Sequence, residues 1–103
     1  MIELQNILKD KLDIIRVLCK ANNVKKLFAF GSVCTEKFNE HSDVDLLVSF
    51  FPMDYNDYAD SYFEFAEKLE QLFHRQVDLI TENSLKNPYF IESVNRTKTL
   101  IYG

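Results

Sequence analysis

The sequence predicts a small α/β domain: a mixed β-sheet with helices mainly on one face. Three observations carry that expectation. Apolar residues recur at helical spacing over residues 2–22 and 55–73, while between and after them run short stretches rich in branched and aromatic residues. Two of those strand-like stretches, 26–30 and 44–51, are separated by a polar loop too short for a helical crossover. And 103 residues, 47% of them hydrophobic and fourteen aromatic, supply one core, so that residues 1–103 read as a single domain.

The elements follow in order. Leu4, Ile7, Leu8, Leu12, Ile15, Leu18 and Cys19 lie on one face of a helix over 2–22, which Asn22-Asn23 stops. A strand at Lys26–Phe30 enters the pair Gly31-Ser32. Residues 33–42 are polar and read as a loop with room for one helical turn. The strand Val44–Phe51 ends at Pro52. Asp54, with Asp57 three residues on, is placed to cap a second long helix. Its stripe runs through Tyr55, Tyr58, Tyr62, Phe65, Ala66, Leu69, Leu72 and Phe73. Such a stripe is ordinarily core, but it holds more aromatics than one buried face needs, which leaves part of it for an interface or an oligomer contact. Gln76–Thr81 is the third strand. Asn87-Pro88 opens a short third helix to about Asn95, and Lys98–Tyr102 is the last strand. The first two strands should pair antiparallel, and the helix-bearing connection suits a parallel pairing of the second with the third.

Composition excludes several classes. Twelve Lys and Arg against sixteen Asp and Glu give a net charge of −4, which argues against independent nucleic-acid binding. No apolar run approaches the ~20 residues of a membrane span, so no membrane association is expected. The N-terminus reads as an amphipathic helix rather than a signal peptide. Cys19 and Cys34 stand at no metal-ligand spacing, and a cytoplasmic, reducing location is the simplest expectation. Cys34 is read as a small loop residue rather than a nucleophile, because no His or Asn partner follows from the sequence. His41 and His74 fit no catalytic pattern.

The chemistry concentrates in FGSVCTEKFNEHSDVDLLVSF, residues 30–50. Side chains alternate faces along a strand, so Asp43 and Asp45 share one face while Val44, Leu46 and Val48 point to the other. Asp78 stands between Val77 and Leu79 in the third strand. If those strands are neighbours, three carboxylates converge on one patch at the edge of the sheet. Carboxylates brought together repel unless a cation is present, and oxygen ligands favour a hard cation such as Mg²⁺. Two such ions can clamp the attacking and leaving oxygens of a phosphoryl or nucleotidyl transfer. Gly31 allows a sharp turn and close approach of the backbone, and the N–H groups and hydroxyl around Gly31 and Ser32 can hold a phosphate. Taken alone, Asp43 and Asp45 also fit ordinary solvated turn residues. Their combination with Gly31-Ser32 and with Asp78 favours a site.

Gly31-Ser32, ten residues, Asp43-Val44-Asp45, then Asp78 on a later strand: the pattern resembles the polymerase beta-like nucleotidyltransferase superfamily, and above all its minimal nucleotidyltransferases. Many of these are antitoxins paired with a HEPN-domain toxin. The resemblance spans essentially the whole chain and implies that fold. It implies a catalytic and metal-binding set of Asp43, Asp45 and Asp78 holding two Mg²⁺, with Asp78 also serving as base. It implies Gly31 and Ser32 as nucleotide-binding residues at the β- and γ-phosphates. The implied reaction moves NMP, AMP from ATP in the antitoxin branch, to a hydroxyl such as a tyrosine of a HEPN-type partner toxin. Many relatives carry Arg-Ala-Arg-Gly after Gly-Ser, whereas here Val33-Cys34-Thr35-Glu36 follow, with Lys37 the nearest cation. That departure keeps an alternative open: a non-catalytic antitoxin that neutralises its partner by direct binding.

Overall fold

The computed structural model describes residues 6–103. In chain order the elements are α1 (Asn6–Lys9), α2 (Leu12–Ala21), β1 (Val24–Phe30), β2 (Val44–Phe50), α3 (Tyr55–Phe73), β3 (Val77–Thr81), α4 (Pro88–Thr97) and β4 (Thr99–Tyr102), with short 3₁₀ turns at Gly31–Cys34 and Glu82–Ser84.

The sheet is mixed, in the order β3-β2-β1-β4. β1 pairs antiparallel with both β2 and β4, and β2 pairs parallel with β3. Both expected pairings are therefore present, the parallel one reached through α3. Alternation sorts the side chains. Leu27, Ala29, Val44, Leu46, Val48, Val77 and Leu79 face a core closed by Leu8, Ile15 and Cys19 of α1 and α2 and by Phe65, Leu69 and Phe73 of α3. On the opposite face Phe30, Leu47 and Val94 form a smaller cluster with Phe28, Ile80 and Leu85, which the shorter α4 covers.

Local chemistry accounts for most boundaries. The Asn87 side chain accepts from the N–H groups of Tyr89 and Phe90, at 2.9 and 3.3 Å, and Pro88 takes the first helical position, where no N–H is needed. Asn22 is buried at the end of α2 and donates to the Leu18 carbonyl at 2.9 Å. Asn23 and His74 both adopt left-handed backbone, with φ of 59° and 53°, after α2 and α3 respectively.

Three expectations change. The expected continuous helix over 2–22 is two helices, broken at Asp10 and Lys11, and its portion 2–5, with Leu4, lies outside the described residues. Neither Asp10 nor Lys11 is a helix breaker, so packing sets the bend rather than propensity. α3 begins where expected, but Asp54 makes no side-chain cap bond and the helix enters on extended backbone alone. The stripe on α3 is mostly core, with Phe65, Leu69 and Phe73 buried and Tyr62, Ala66 and Leu72 packed against them, but Tyr55 at its start is 87% exposed; Phe63, off the stripe, is 68% exposed.

Candidate active site

The site is assembled where β1 ends and β2 begins. Phe30, the last residue of β1, pairs directly with Asp45 of β2, and Asp45 pairs in parallel register with Asp78 of β3. Register thus puts the two carboxylates side by side on the α4 face of the sheet, with the buried Phe30 as the residue across from Asp45. Asp43 precedes β2 by one residue, and its charge also reaches Asp45.

Burial, a hydrogen bond shared with Asp78, and the charges of Asp78 and Asp43 together push the Asp45 carboxyl up to about 6 from an ordinary 3.8. The patch therefore behaves as carboxylates held together against their repulsion. The donor set suits a hard cation: the Asp45 and Asp78 carboxyls meet, and carboxylate oxygens gain from positive charge. Among the described residues no three such side chains form a ready-made metal cage. The remaining coordination positions would fall to phosphate oxygens and water, as is usual for Mg²⁺.

Gly31 is required on two counts. Its φ is +74°, and a β-carbon added there would stand 2.6 Å from Asp45 Oδ2. Only glycine lets the turn pass this close to the carboxylate. Its N–H, expected from the sequence to face a phosphate, instead donates to Thr97 Oγ1 at 2.7 Å. The hydroxyl and N–H of Ser32, in a half-buried position of the turn, are the donors left to an anion on that side. The Ser32 carbonyl is bound by the N–H and hydroxyl of Thr35, at 2.9 and 3.0 Å, which closes the turn. Val33 and Cys34 are buried beneath it, and burial raises the Cys34 thiol, so it stays protonated and packs as a small loop residue. His41 is exposed beside Glu40, and His74 ends α3. Lys37 is exposed.

Two contributors escaped the sequence reading. Arg75, just before β3, donates to the carbonyls of Asn39 and Ser42 at 3.1 and 2.9 Å and lies over the Phe38 ring at 4.8 Å. It ties down the loop that delivers Asp43. Thr97, at the end of α4, holds Gly31 from 66 residues away. Neither belongs to a local motif, so only the folded chain brings them to the site.

Beside β3, on the edge of the sheet, Tyr55, Tyr58, Tyr62 and Phe63 of α3 line a cavity of about 420 Å³ with Leu79, Ile80, Thr81 and Ser84. The Tyr62 hydroxyl donates to the Leu79 carbonyl, one residue beyond Asp78. Among the described residues no helix is long and apolar enough to cross a membrane.

Residues 12–103 match the family model described as polymerase beta, nucleotidyltransferase. Two proteins of Methanocaldococcus jannaschii, each named "Putative protein adenylyltransferase", are 35% and 34% identical over 100 residues, in both cases 97% of this chain and 94% of the relative. A solved structure described as a "putative minimal nucleotidyltransferase" superposes with a TM-score of 0.71 at 28% identity, covering 89% of this chain and 90% of that one. The MNT antitoxin complex with a tri-AMPylated HEPN toxin of Shewanella oneidensis superposes at 0.63 with 21% identity over 92% of this chain and 71% of that one, a likeness of fold.

Proposed function

Because this chain belongs to the polymerase beta nucleotidyltransferase family, we propose that its own reaction is the Mg²⁺-dependent transfer of AMP from ATP to a protein hydroxyl. The observation that carries this reading is the direct pairing of Asp45 with Asp78, beside a glycine turn that only a missing β-carbon permits.

In this reading Asp43, Asp45 and Asp78 hold the cations. When bound, the metal supplies positive charge against the triphosphate and the developing negative charge of the transition state. Ser32 binds the β- and γ-phosphates through its hydroxyl and N–H, and Gly31 keeps the turn close to Asp45. Asp78 accepts the proton of the incoming hydroxyl. The hydroxyl oxygen forms a bond to the α-phosphorus, the bond from that phosphorus to the bridging oxygen of the β-phosphate breaks, and pyrophosphate leaves. The products are an AMP ester, pyrophosphate and one proton.

The acceptor proposed is a tyrosine of a HEPN-type partner toxin, with this chain its antitoxin. Relatives named protein adenylyltransferases support a protein acceptor, and the fold neighbour in complex with an AMPylated HEPN toxin supports the kind of partner. Exposed Tyr55 and Phe63 beside the cavity on α3 give that partner apolar surface to meet. The whole reaction is proposed to run within residues 1–103 as one domain, in a cytoplasmic setting. A second reading, neutralisation by binding alone, is favoured by Val33-Cys34-Thr35-Glu36 in place of phosphate-pairing arginines.

Thermal unfolding with each of the four nucleoside triphosphates, with and without Mg²⁺, tests the first reading. A ligand at 100 times its Kd adds about 2.7 kcal/mol to the folded state. A Mg²⁺-dependent rise in Tm with ATP, lost in the Asp43→Asn, Asp45→Asn double variant, is expected. No rise with any nucleotide would favour the second reading.

A further inference from the structure

We infer that Thr97, at the junction of α4 and β4, is a positioning residue that clamps the entry of the Gly31–Cys34 turn and holds it in register with Asp45. The inference rests on the proposed nucleotide site and deepens it.

At the front of the turn, Thr97 Oγ1 accepts the Gly31 N–H at 2.7 Å. Behind it, Val33 and Cys34 of the turn are buried. The anchor is itself held, since the Thr99 hydroxyl donates to the Thr97 carbonyl at 3.0 Å. One short segment between helix and strand therefore grips the start of a four-residue turn.

The grip matters because of what the turn must do. Gly31 sits at φ +74° with no room for a β-carbon beside Asp45 Oδ2. Glycine has no intrinsic preference for that conformation over others and loses more entropy than any residue in adopting it. Something outside the turn must select it. The bond from Thr97 fixes the plane of the Phe30–Gly31 peptide, and burial of Val33 and Cys34 seats the rest of the turn. Ser32, the next residue, is then held in a fixed turn, so its hydroxyl and N–H meet an arriving anion without that ordering cost. The segment that supplies the clamp is itself anchored: Val94 is buried against Phe30 and Leu47, and β4 pairs with β1. Thr97 does not touch the reacting atoms in this arrangement, so it acts through the turn.

The test uses the full chain. Thr97→Val keeps the shape and removes the acceptor, while Thr97→Ser keeps the hydroxyl. Amide exchange by NMR reads the clamp without any ligand. The Gly31 amide is expected to exchange at least ~10-fold faster in Thr97→Val, with β1 amides unchanged and Thr97→Ser close to wild type. Calorimetric titration of ATP with Mg²⁺ then reads the consequence: a rise in Kd of roughly 5- to 10-fold in the valine variant, reversed in the serine variant. Unchanged Gly31 exchange in Thr97→Val would overturn the clamp. Faster exchange with an unchanged Kd would overturn its role in presenting Ser32. If the wild type binds no nucleotide, the proposed function fails, and Gly31 exchange alone decides whether Thr97 holds the turn.

Discussion

At the scale of single residues, Asp45 and Gly31 decide the site between them. Asp45 carries the conflict between folding and function. Its carboxyl is raised to about 6, first by burial and then by Asp78 and Asp43. The native state therefore binds this proton more tightly than the unfolded chain does. The stabilisation is complete below the ordinary 3.8 and is lost as pH rises through about 6. In cation-free buffer the protein should thus be more stable at pH 5 than at pH 7.5 in this term. Asp45→Asn should raise Tm at pH 7.5 and flatten the slope between the two, read by thermal melts at each pH. Added Mg²⁺ should raise the Tm of the wild type at pH 7.5 and not that of Asp45→Asn. Gly31→Ala should be costly in the opposite way. The left-handed backbone alone costs roughly 1–2 kcal/mol for an alanine, and the new methyl must displace Asp45 Oδ2. Denaturant titration should show that loss, and Mg²⁺-dependent nucleotide stabilisation should disappear.

At the scale of elements, α4 does more than its ten residues suggest. It covers the small cluster of Phe30, Leu47 and Val94 and delivers Thr97 to Gly31. Its start depends on the Asn87 side chain, which satisfies two N–H groups that the helix itself cannot. Asn87→Ala should cost about 1 kcal/mol in urea denaturation. Thr97 stands at the far end of the same helix, so fraying of α4 should also speed exchange at the Gly31 amide. Asn87→Asp or Asn87→Ser should restore both, because either side chain can accept the same bonds. Arg75 does comparable work for the loop before β2, where its guanidinium bridges two carbonyls and covers Phe38. Both bonds leave from Nη1, and a lysine there would lack the planar guanidinium that covers the Phe38 ring.

At the scale of the whole molecule, one core on the α2–α3 face holds the sheet rigid, and the site occupies the other face. Phe65 is fully buried and edge-packed on Phe50, with centroids 6.4 Å apart. Phe65→Ala should cost about 3–5 kcal/mol, a large share of the roughly 5–15 kcal/mol that keeps a domain folded. Chemical denaturation would register it as a fall in midpoint. Exposed Phe63, two residues away, should cost under about 0.5 kcal/mol when changed to alanine, because it leaves no cavity. Any effect of Phe63→Ala on a partner would therefore be one of surface and not of folding.

Sequence alone determined the features that repeat or stay local. Period-2 and helical spacing marked the four strands and α3, since burial on one face leaves that record in the order of residues. The Asn87-Pro88 start of α4 was legible because a cap is a contact between near neighbours. Asp43, Asp45 and Asp78 stood out because carboxylates are rare on strands flanked by apolar residues. What depended on distant segments was left to tertiary structure. The bend at Asp10 and Lys11, and the exposure of Tyr55 on α3 while Phe65, Leu69 and Phe73 are buried, depend on what the folded chain packs against each helix. Arg75 and Thr97 were invisible as site residues for the same reason: a polar side chain acquires its role only when folding brings its partner within about 3 Å. The commitment of the Gly31 N–H to Thr97 spans 66 positions, and a bond of that reach exists only once β1, α4 and β4 have met.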